Sequence, residues 1–407
     1  MQSDCEIDRW MREALVLARA SIGLSAPNPN VGALIVGDAG DIVGSGTHTY
    51  DGIKHAEILA LQEAGESARG GTLVINLEPC SHTGRTGPCV DEIIRCGIKR
   101  VIAAMRDPNP LVSGKGFARL RSEGIEVIEG VAALEARHLN ENFAKYIRSR
   151  IPLVTLKAGM TLDGKIAPPP DKLQSLGPSS KAHTSGAWIT SDAARAHVQR
   201  MRHSSDAIVV GVGTVISDDP LLTDRSGLPR RRPLLRVILD STLRIPLDSR
   251  LVKTANQDVM ICCSVVQEKK KRDLERLGVL VEQLPSEHSH KPKAIGEPLI
   301  SGVEGRPDIA QMVRRLGELQ ITSLLIEGGS AVNWSALASN VVDKVLLFYA
   351  PKILAGTSSI SFAGGEGFPA MSSAAMVKDV SIHRFGEDFA VEGYLKDPYE
   401  FQAHNHR

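Results

Sequence analysis

The segment EPCSHTGRTGPC, residues 78–89, decides how the first half of this chain is read. It sets Cys80 and Cys89 on either side of eight residues, in a chain that has six cysteines. A disulfide, a structural metal clip and a catalytic metal site all use such a pair. The apolar run GTLVINLEPC enters the segment as a strand, and PCVDEIIRCG leaves it as a helix. Working outward, VGALIV and KRVIAAM read as strands, KHAEILALQEAG as a helix, GKGFARLRSEGIEVIEG as a helix followed by a strand, and ALEARHLNENFAKYIRSR as one further helix. Strands alternating with helices of this length build a parallel or mixed sheet covered on both faces.

The N-terminal MQSDCEIDRWMREALVLARA carries acids and arginines at helical spacing, an amphipathic helix rather than a signal peptide. The chain has no uninterrupted apolar run of about 18 residues or more. The expected compartment is the cytoplasm, where thiols stay reduced. A Cys80–Cys89 disulfide loses ground accordingly, and a metal gains it. Upstream, His55-Ala56-Glu57 opens a helix. Structural zinc fills four positions with protein nitrogen and sulfur, whereas catalytic zinc keeps one for water. His55, Cys80 and Cys89 supply three ligands, leaving the fourth for water whose pKa zinc draws from near 15.7 toward about 7. Glu57 is placed to carry protons rather than to bind metal. The order H-A-E, P-C and a second cysteine follows the H-x-E and P-C-x-x-C signature of zinc deaminases, with a longer loop between the cysteines. Cys89 follows Pro88 and precedes Asp91 and Glu92, a helix start that favours thiolate. A structural zinc module is the rival reading, and His82 a competing ligand. Cys5, Cys96, Cys262 and Cys263 read as small packed hydrophobes.

At 407 residues the chain exceeds what one core organises, so two domains are expected, divided near residue 148 before Ile151-Pro152. The expected domains are 1–148 and 149–400. Lys and Arg total 48 against 47 Asp and Glu, a net charge of +1 that gives no reason to expect nucleic acid or a membrane as partner. The clusters LPRRRP and QEKKKR then read as solvated loops. The second half repeats the alternation, with LVTLKAG, AIVVGVGTV, LLRVILDS, VMICCS, VLVEQL, SLLIEGG and DKVLLFYAPKIL as strands and DAARAHVQRMRHS and DIAQMVRRLGELQ as helices. It lacks G-x-G-x-x-G. The glycine turn in IEGGSAVNWSAL, residues 326–337, lies between strand and helix, where backbone approaches a phosphate. APPPDKLQSLGPSSKAH reads as an exposed loop.

On APNPNVGALIV, GTHTYDGIKHAE and EPCSHTGRTGPC, the first half resembles the deaminase half of the bifunctional riboflavin-biosynthesis deaminase–reductase family. LKAGMTLDGKIA, WITSDAARAHVQRMRHSSDAIVVGVGTVISDDPLLTDR, VILDS and LLIEGGS run in the order of its reductase half. The resemblance implies a cytidine-deaminase-like three-layer domain followed by an α/β domain similar to dihydrofolate reductase. It implies zinc-dependent deamination of a diaminohydroxy-phosphoribosylamino-pyrimidine, then reduction of its ribose to ribityl with NADPH. By that similarity Asn30 and His48 face pyrimidine and ribose, and His82 and Arg85 the ribose phosphate, a guanidinium being suited to two phosphate oxygens. Met160, Trp188, Thr214, Asp218, Ser241, Gly329 and Ser330 line NADPH. Arg202, Leu222, Arg225 and Glu327 hold the second substrate, with Lys157 and Asp163 near the reacting ribose. A homodimer or tetramer is implied as well. Gly87 replaces a common proline, and Gly186 holds the substrate-binding place where the family has a substrate-contacting serine two residues before Trp188, in a longer stretch from Ala167 onward. The alternative function is a nucleotide or tRNA deaminase with a non-catalytic second half.

Overall fold

The computed structural model describes residues 4–83, 87–169, 188–286 and 305–400. By contacts the chain forms two compact units: residues up to Arg150 with Pro229–Arg232 and the residues from Pro398, and Ile151–Leu228 with Pro233–Asp397. Among the described residues no helix is long and apolar enough to cross a membrane.

The first unit contains α1 (Asp4–Arg19), β1 (Gly32–Val36), β2 (Ile42–Thr47), α2 (Ala56–Ala64), β3 (Thr72–Ile75), α3 (Cys89–Arg95), β4 (Arg100–Ala103), α4 (Lys115–Ser122), β5 (Glu126–Glu129), α5 (Ala133–Leu139) and α6 (Glu141–Ser149). Its sheet runs β2-β1-β3-β4-β5, antiparallel up to β3 and parallel beyond. Every residue of β1 and β3 is buried, as expected of strands covered on both faces. Two close approaches fix the layers. A Cβ on Gly32 would lie 2.3 Å from the Ala14 carbonyl oxygen of α1, and one on Gly46 only 2.0 Å from that of Ala56 in α2. Gly46 pairs with Ala33, the neighbour of Gly32 and therefore on the opposite face. The two helices consequently flank the sheet, and Trp10, Met11 and Leu15 of α1 join Ile35, Leu73, Ile102 and Phe117 in one core.

The expected single helix over residues 133–150 breaks at Asn140. That buried side chain accepts the Asn30 N–H at 2.7 Å and donates to the Asn30 carbonyl at 3.1 Å. Strand β2 had no apolar run to announce it, because two of its six residues are the glycines that admit α2.

The second unit contains β6 (Leu153–Thr161), β7 (Lys165–Ala167), α7 (Asp192–Ser204), β8 (Ala207–Gly211), α8 (Val212–Asp218), β9 (Leu235–Leu239), α9 (Arg250–Lys253), β10 (Val259–Cys263), α10 (Glu268–Arg276), β11 (Val279–Gln283), α11 (Ile309–Glu318), β12 (Ser323–Ile326), α12 (Ser330–Ala338), β13 (Lys344–Ala350), β14 (Ile360–Ser361), β15 (Lys378–Phe385) and β16 (Asp388–Tyr394). Its nine-stranded sheet has the order β11-β10-β9-β8-β12-β6-β13-β16-β15, parallel from β11 to β13 and closed by an antiparallel pair. Alternate strand residues feed two cores: Leu156, Val209, Val237 and Ile326 under α11, and Ile208, Val210, Ile238 and Ile261 under α8 to α10. The strand expected over AIVVGVGTV ends at Gly211, and its last residues start α8. The lysine-rich QEKKKR is not a loop but the start of α10.

Candidate active sites

In the first unit the metal-ligand candidates come from three element boundaries. His55 is the extended residue before α2, Cys80 lies in the loop after β3, and Cys89 is the first residue of α3. His55 Nδ1 is 3.0 Å from Cys89 Sγ and 3.5 Å from Cys80 Sγ, and the three ligand atoms lie within 4.8 Å of one another. Tetrahedral zinc with ligands at about 2.0–2.3 Å sets them roughly 3.3–3.8 Å apart, so this donor set fits zinc. The Cys89 thiol and backbone N–H both point at Cys80 Sγ, and with His55 they hold the Cys80 thiol down to about 4 against its burial. The Cys89 thiol is pushed up, first by that thiolate and then by burial. His55 is raised, chiefly by its bond with Cys80.

Glu57, in the first turn of α2, is buried, with its carboxylate 4.0 Å from His55 Nδ1. Burial raises its pKa, the environment of a carboxyl that takes up and releases a proton. His55, Glu57 and Cys80 share a cavity of about 220 Å³ with Asn28, His48, Glu78, His82, Asp107, Asn109, Phe143 and Ile147 among its lining. His48 Nδ1 donates to the Lys54 carbonyl at 2.9 Å, which leaves Nε2 to accept from Asn28 Nδ2 at 3.0 Å. Glu78 is committed elsewhere: it accepts four backbone N–H groups, from Asp107, Gly114, Gly116 and Phe117, and so fixes the loop that carries Asp107.

Asn30 is a correction. Its amide oxygen accepts from Ser21 and Ser25, and its nitrogen donates to Leu139, so the side chain is used inside the fold and does not line the cavity. Asn28, two residues earlier in the same motif, does. His48 and His82 line the cavity, while Arg85 lies outside the described residues. Asp107 and Asn109 were missed. RDPNP, their segment, has turn residues that sequence reading assigns to a loop, and nothing marks a loop as facing a cavity. Burial pushes the Asp107 carboxyl up to about 6.

In the second unit β8 and β12 end side by side, Gly211 N–H donating to Gly328 and Glu327 N–H to Val209, both at 3.0 Å. Each strand then turns into a helix, α8 or α12. Gly328 has φ +95°, a conformation that favours glycine, and a Cβ on Gly329 would lie 3.6 Å from Thr214 Oγ1. Ser330 opens α12, its hydroxyl donating to Ser361 at 2.6 Å. The Ser241 carbonyl, just past β9, accepts from Ser264 and Val265. Thr214, Ser241, Gly329 and Ser330 thus lie just past the carboxyl ends of neighbouring strands, where open α/β sheets bind ligands, and the start of α12 suits an anionic group. Met160 is buried near the end of β6. Asp218 is exposed one turn beyond Thr214, and Trp188 is exposed with the Arg195 guanidinium 5.0 Å above its ring.

Register brings Lys157 level with Glu327, since Leu156 pairs with Ile326. Burial lowers the Lys157 pKa. Glu327 is bound by both ends of the Arg202 fork, Nε donating at 2.7 Å and Nη2 at 2.8 Å, while Nη1 donates to the Thr223 carbonyl at 3.1 Å. Arg202 therefore holds Glu327 and the 222–225 loop rather than offering its fork to a phosphate. Two further expectations change. Leu222 is a core residue at positive φ, so only its backbone is offered to a ligand. Asp163 is turned away, accepting from Thr161 Oγ1, Leu354 N–H and Ala355 N–H, which hold its carboxyl at about 2. Arg225 is exposed, and Gly186 lies outside the described residues, as does most of the APPPDKLQSLGPSSKAH loop.

Two family models match the chain: the RibD C-terminal domain over residues 152–391, and the cytidine and deoxycytidylate deaminase zinc-binding region over residues 5–105. The riboflavin biosynthesis protein RibD of Actinobacillus pleuropneumoniae is 39% identical over 96% of this chain and 95% of its own length, and that of Aquifex aeolicus 40% over 95% and 98%. Among solved structures, RibD of Acinetobacter baumannii superposes with a TM-score of 0.75 at 31% identity, covering 96% of this chain and 99% of that one. A Thermotoga maritima protein described as a diaminohydroxyphosphoribosylaminopyrimidine deaminase/5-amino-6-(5-phosphoribosylamino)uracil reductase superposes at 0.73 and 35% identity over the same shares. Matching relatives along both units, in order and nearly end to end, the chain belongs to the RibD family.

Proposed function

We infer that this chain is a two-step enzyme of riboflavin biosynthesis, a zinc-dependent deaminase followed by an NADPH-dependent reductase. Its first substrate is the diamino-phosphoribosylamino-pyrimidinone on which the family acts. The observation that carries the reading is the meeting of His55, Cys80 and Cys89 beside a buried Glu57 in a cavity large enough for a heteroaromatic ring. When bound, zinc supplies the Lewis acidity that makes water a nucleophile near neutral pH. Glu57 takes the proton from that water and delivers it to the departing amine. Asn28, His48, Asp107 and Asn109 orient the ring, and His82 and Arg85 meet the phosphate end.

In the second domain NADPH supplies hydride. The Thr214, Ser241, Gly329 and Ser330 edge holds it, with Met160, Trp188 and Asp218 at its margins. Lys157 faces the opened ribose, Glu327 and Arg202 shape the floor, and exposed Arg225 takes the phosphate. The functional domains are 1–148 and 149–400, apart from Pro229–Arg232 and the residues from Pro398, which fold with the first unit; the compartment is the cytoplasm, and no nucleic acid or membrane is required. A homodimer or tetramer belongs to the same reading, supported by exposed Val380 and Ile382 on edge strand β15. The test gives purified protein the diamino substrate with and without NADPH, following ammonia and reduced-nicotinamide absorbance together. Ammonia released either way, with NADPH consumed only after it, is the expected result; no ammonia rejects the reading.

A further inference from the structure

The cluster LPRRRP is not a solvated loop. Pro229–Arg232 belongs to the first unit although the residues on both sides of it belong to the second. Arg231 is its anchor, with a side chain 20% exposed. Its backbone N–H donates to the Gly23 carbonyl at 2.9 Å and its Nη1 to the Ala26 carbonyl at 3.1 Å. Its Nε donates to Asp51 at 3.0 Å, and the guanidinium lies 3.7 Å over the Tyr50 ring. These partners sit on two loops. One carries Asn28, two residues past Ala26; the other carries His48, two residues before Tyr50. Tyr50 N–H donates to Leu24, and Asn28 Nδ2 meets His48 Nε2, so the loops touch at the point that lines the cavity.

We propose that Arg231 is a positioning residue for the deaminase pocket, clamping the Asn28 and His48 loops against each other from a segment encoded within the reductase half. The inference rests on the deaminase reading above. A guanidinium that bonds a carboxylate through Nε and a carbonyl through Nη1 while lying on an aromatic ring is held in one orientation, and no lysine reproduces that geometry. Cys80, Cys89 and Glu57 sit on other elements, and His55 closes the second loop where it is fixed by the start of α2, so loss of the clamp weakens substrate binding more than chemistry.

The test uses the full-length zinc-loaded protein and compares Arg231→Ala, Arg231→Gln and Arg231→Lys with wild type. Arg231→Ala is expected to raise the deaminase KM about tenfold, the scale of a lost supporting contact, with kcat within about twofold. The Lys and Gln variants fall between, and reduction of the deaminated intermediate by the same samples is unchanged. Hydrogen exchange of peptides covering residues 23–30 and 47–54 is faster in Arg231→Ala, a readout that needs no activity. Unchanged exchange, an unchanged KM, or an equal loss in both reactions overturns the proposal. A wild-type protein that releases no ammonia counts against the deaminase reading instead, and the exchange result then decides the clamp.

Discussion

Adding one methyl group at Gly46 tests how the first site is built. The Cβ of an alanine there would lie 2.0 Å from the Ala56 carbonyl oxygen and 2.9 Å from both the Ala60 nitrogen and the Leu59 Cβ. The neighbour that must yield is helix backbone, which has no rotamer to escape into, and a tolerable contact needs 3.0 Å or more. The start of α2 must therefore retreat from β2 by about 1 Å in a close-packed interior. Ala56 lies between His55 and Glu57, so the retreat moves one metal ligand and the proton carrier together. A misplacement of about 1 Å costs on the order of 100-fold in rate, and overpacking of this kind about 1–3 kcal/mol in stability. Gly46→Ala is expected to release ammonia about 100-fold more slowly and to hold zinc more weakly, while reduction of the deaminated intermediate proceeds at the wild-type rate. The assay pairs ammonia release with metal content and NADPH oxidation on one preparation. A variant with full zinc and deamination within about threefold of wild type would refute the claim that the approach of α2 to β2 sets the ligand geometry.

Glu57→Gln is expected to keep its zinc and lose about 10²- to 10⁴-fold in deamination, with reduction unaffected; wild-type ammonia release would end the proton-carrier assignment. Chelation of the metal, or Cys89→Ser, should abolish ammonia release and leave NADPH oxidation on the deaminated intermediate intact, because the two chemistries use different units; metal content and the two rates check it. Glu327→Gln strips a buried guanidinium of its carboxylate and should cost about 3–5 kcal/mol in urea unfolding. Its pH behaviour has a sign. Burial pushes the Glu327 carboxyl up, but Arg202 and Lys157 outweigh it and hold the pKa below the ordinary value of 4.5. The stabilisation is then fully present above pH 4.5 and is lost as pH falls through the lower native value. Melting temperature against pH should show a shallower acid limb in Glu327→Gln; an identical limb would contradict it.

How much of this was legible depended on how local the signal is. His55, Glu57, Cys80 and Cys89 could be read because zinc accepts few ligand types and the elements between them are short and periodic. The asparagine could not. APNPNVG offers Asn28 and Asn30 two residues apart, a spacing that strand periodicity would put on one side and that prefers neither, and only the tertiary partners decide between them. Ser21, Ser25 and Leu139 consume Asn30, while Asn140, 110 residues away, breaks a helix to grip its backbone. The same holds for β15, exposed along almost its whole length, which is a strand only because β16 pairs with it. Arg231 is the sharpest instance. Composition assigns three consecutive arginines to solvent, and they do not look like a part of the first unit because their sequence neighbours are not. What makes Arg231 structural is a ring, a carboxylate and two carbonyls from loops about 200 residues earlier, so chain position is a poor guide to which site a residue serves.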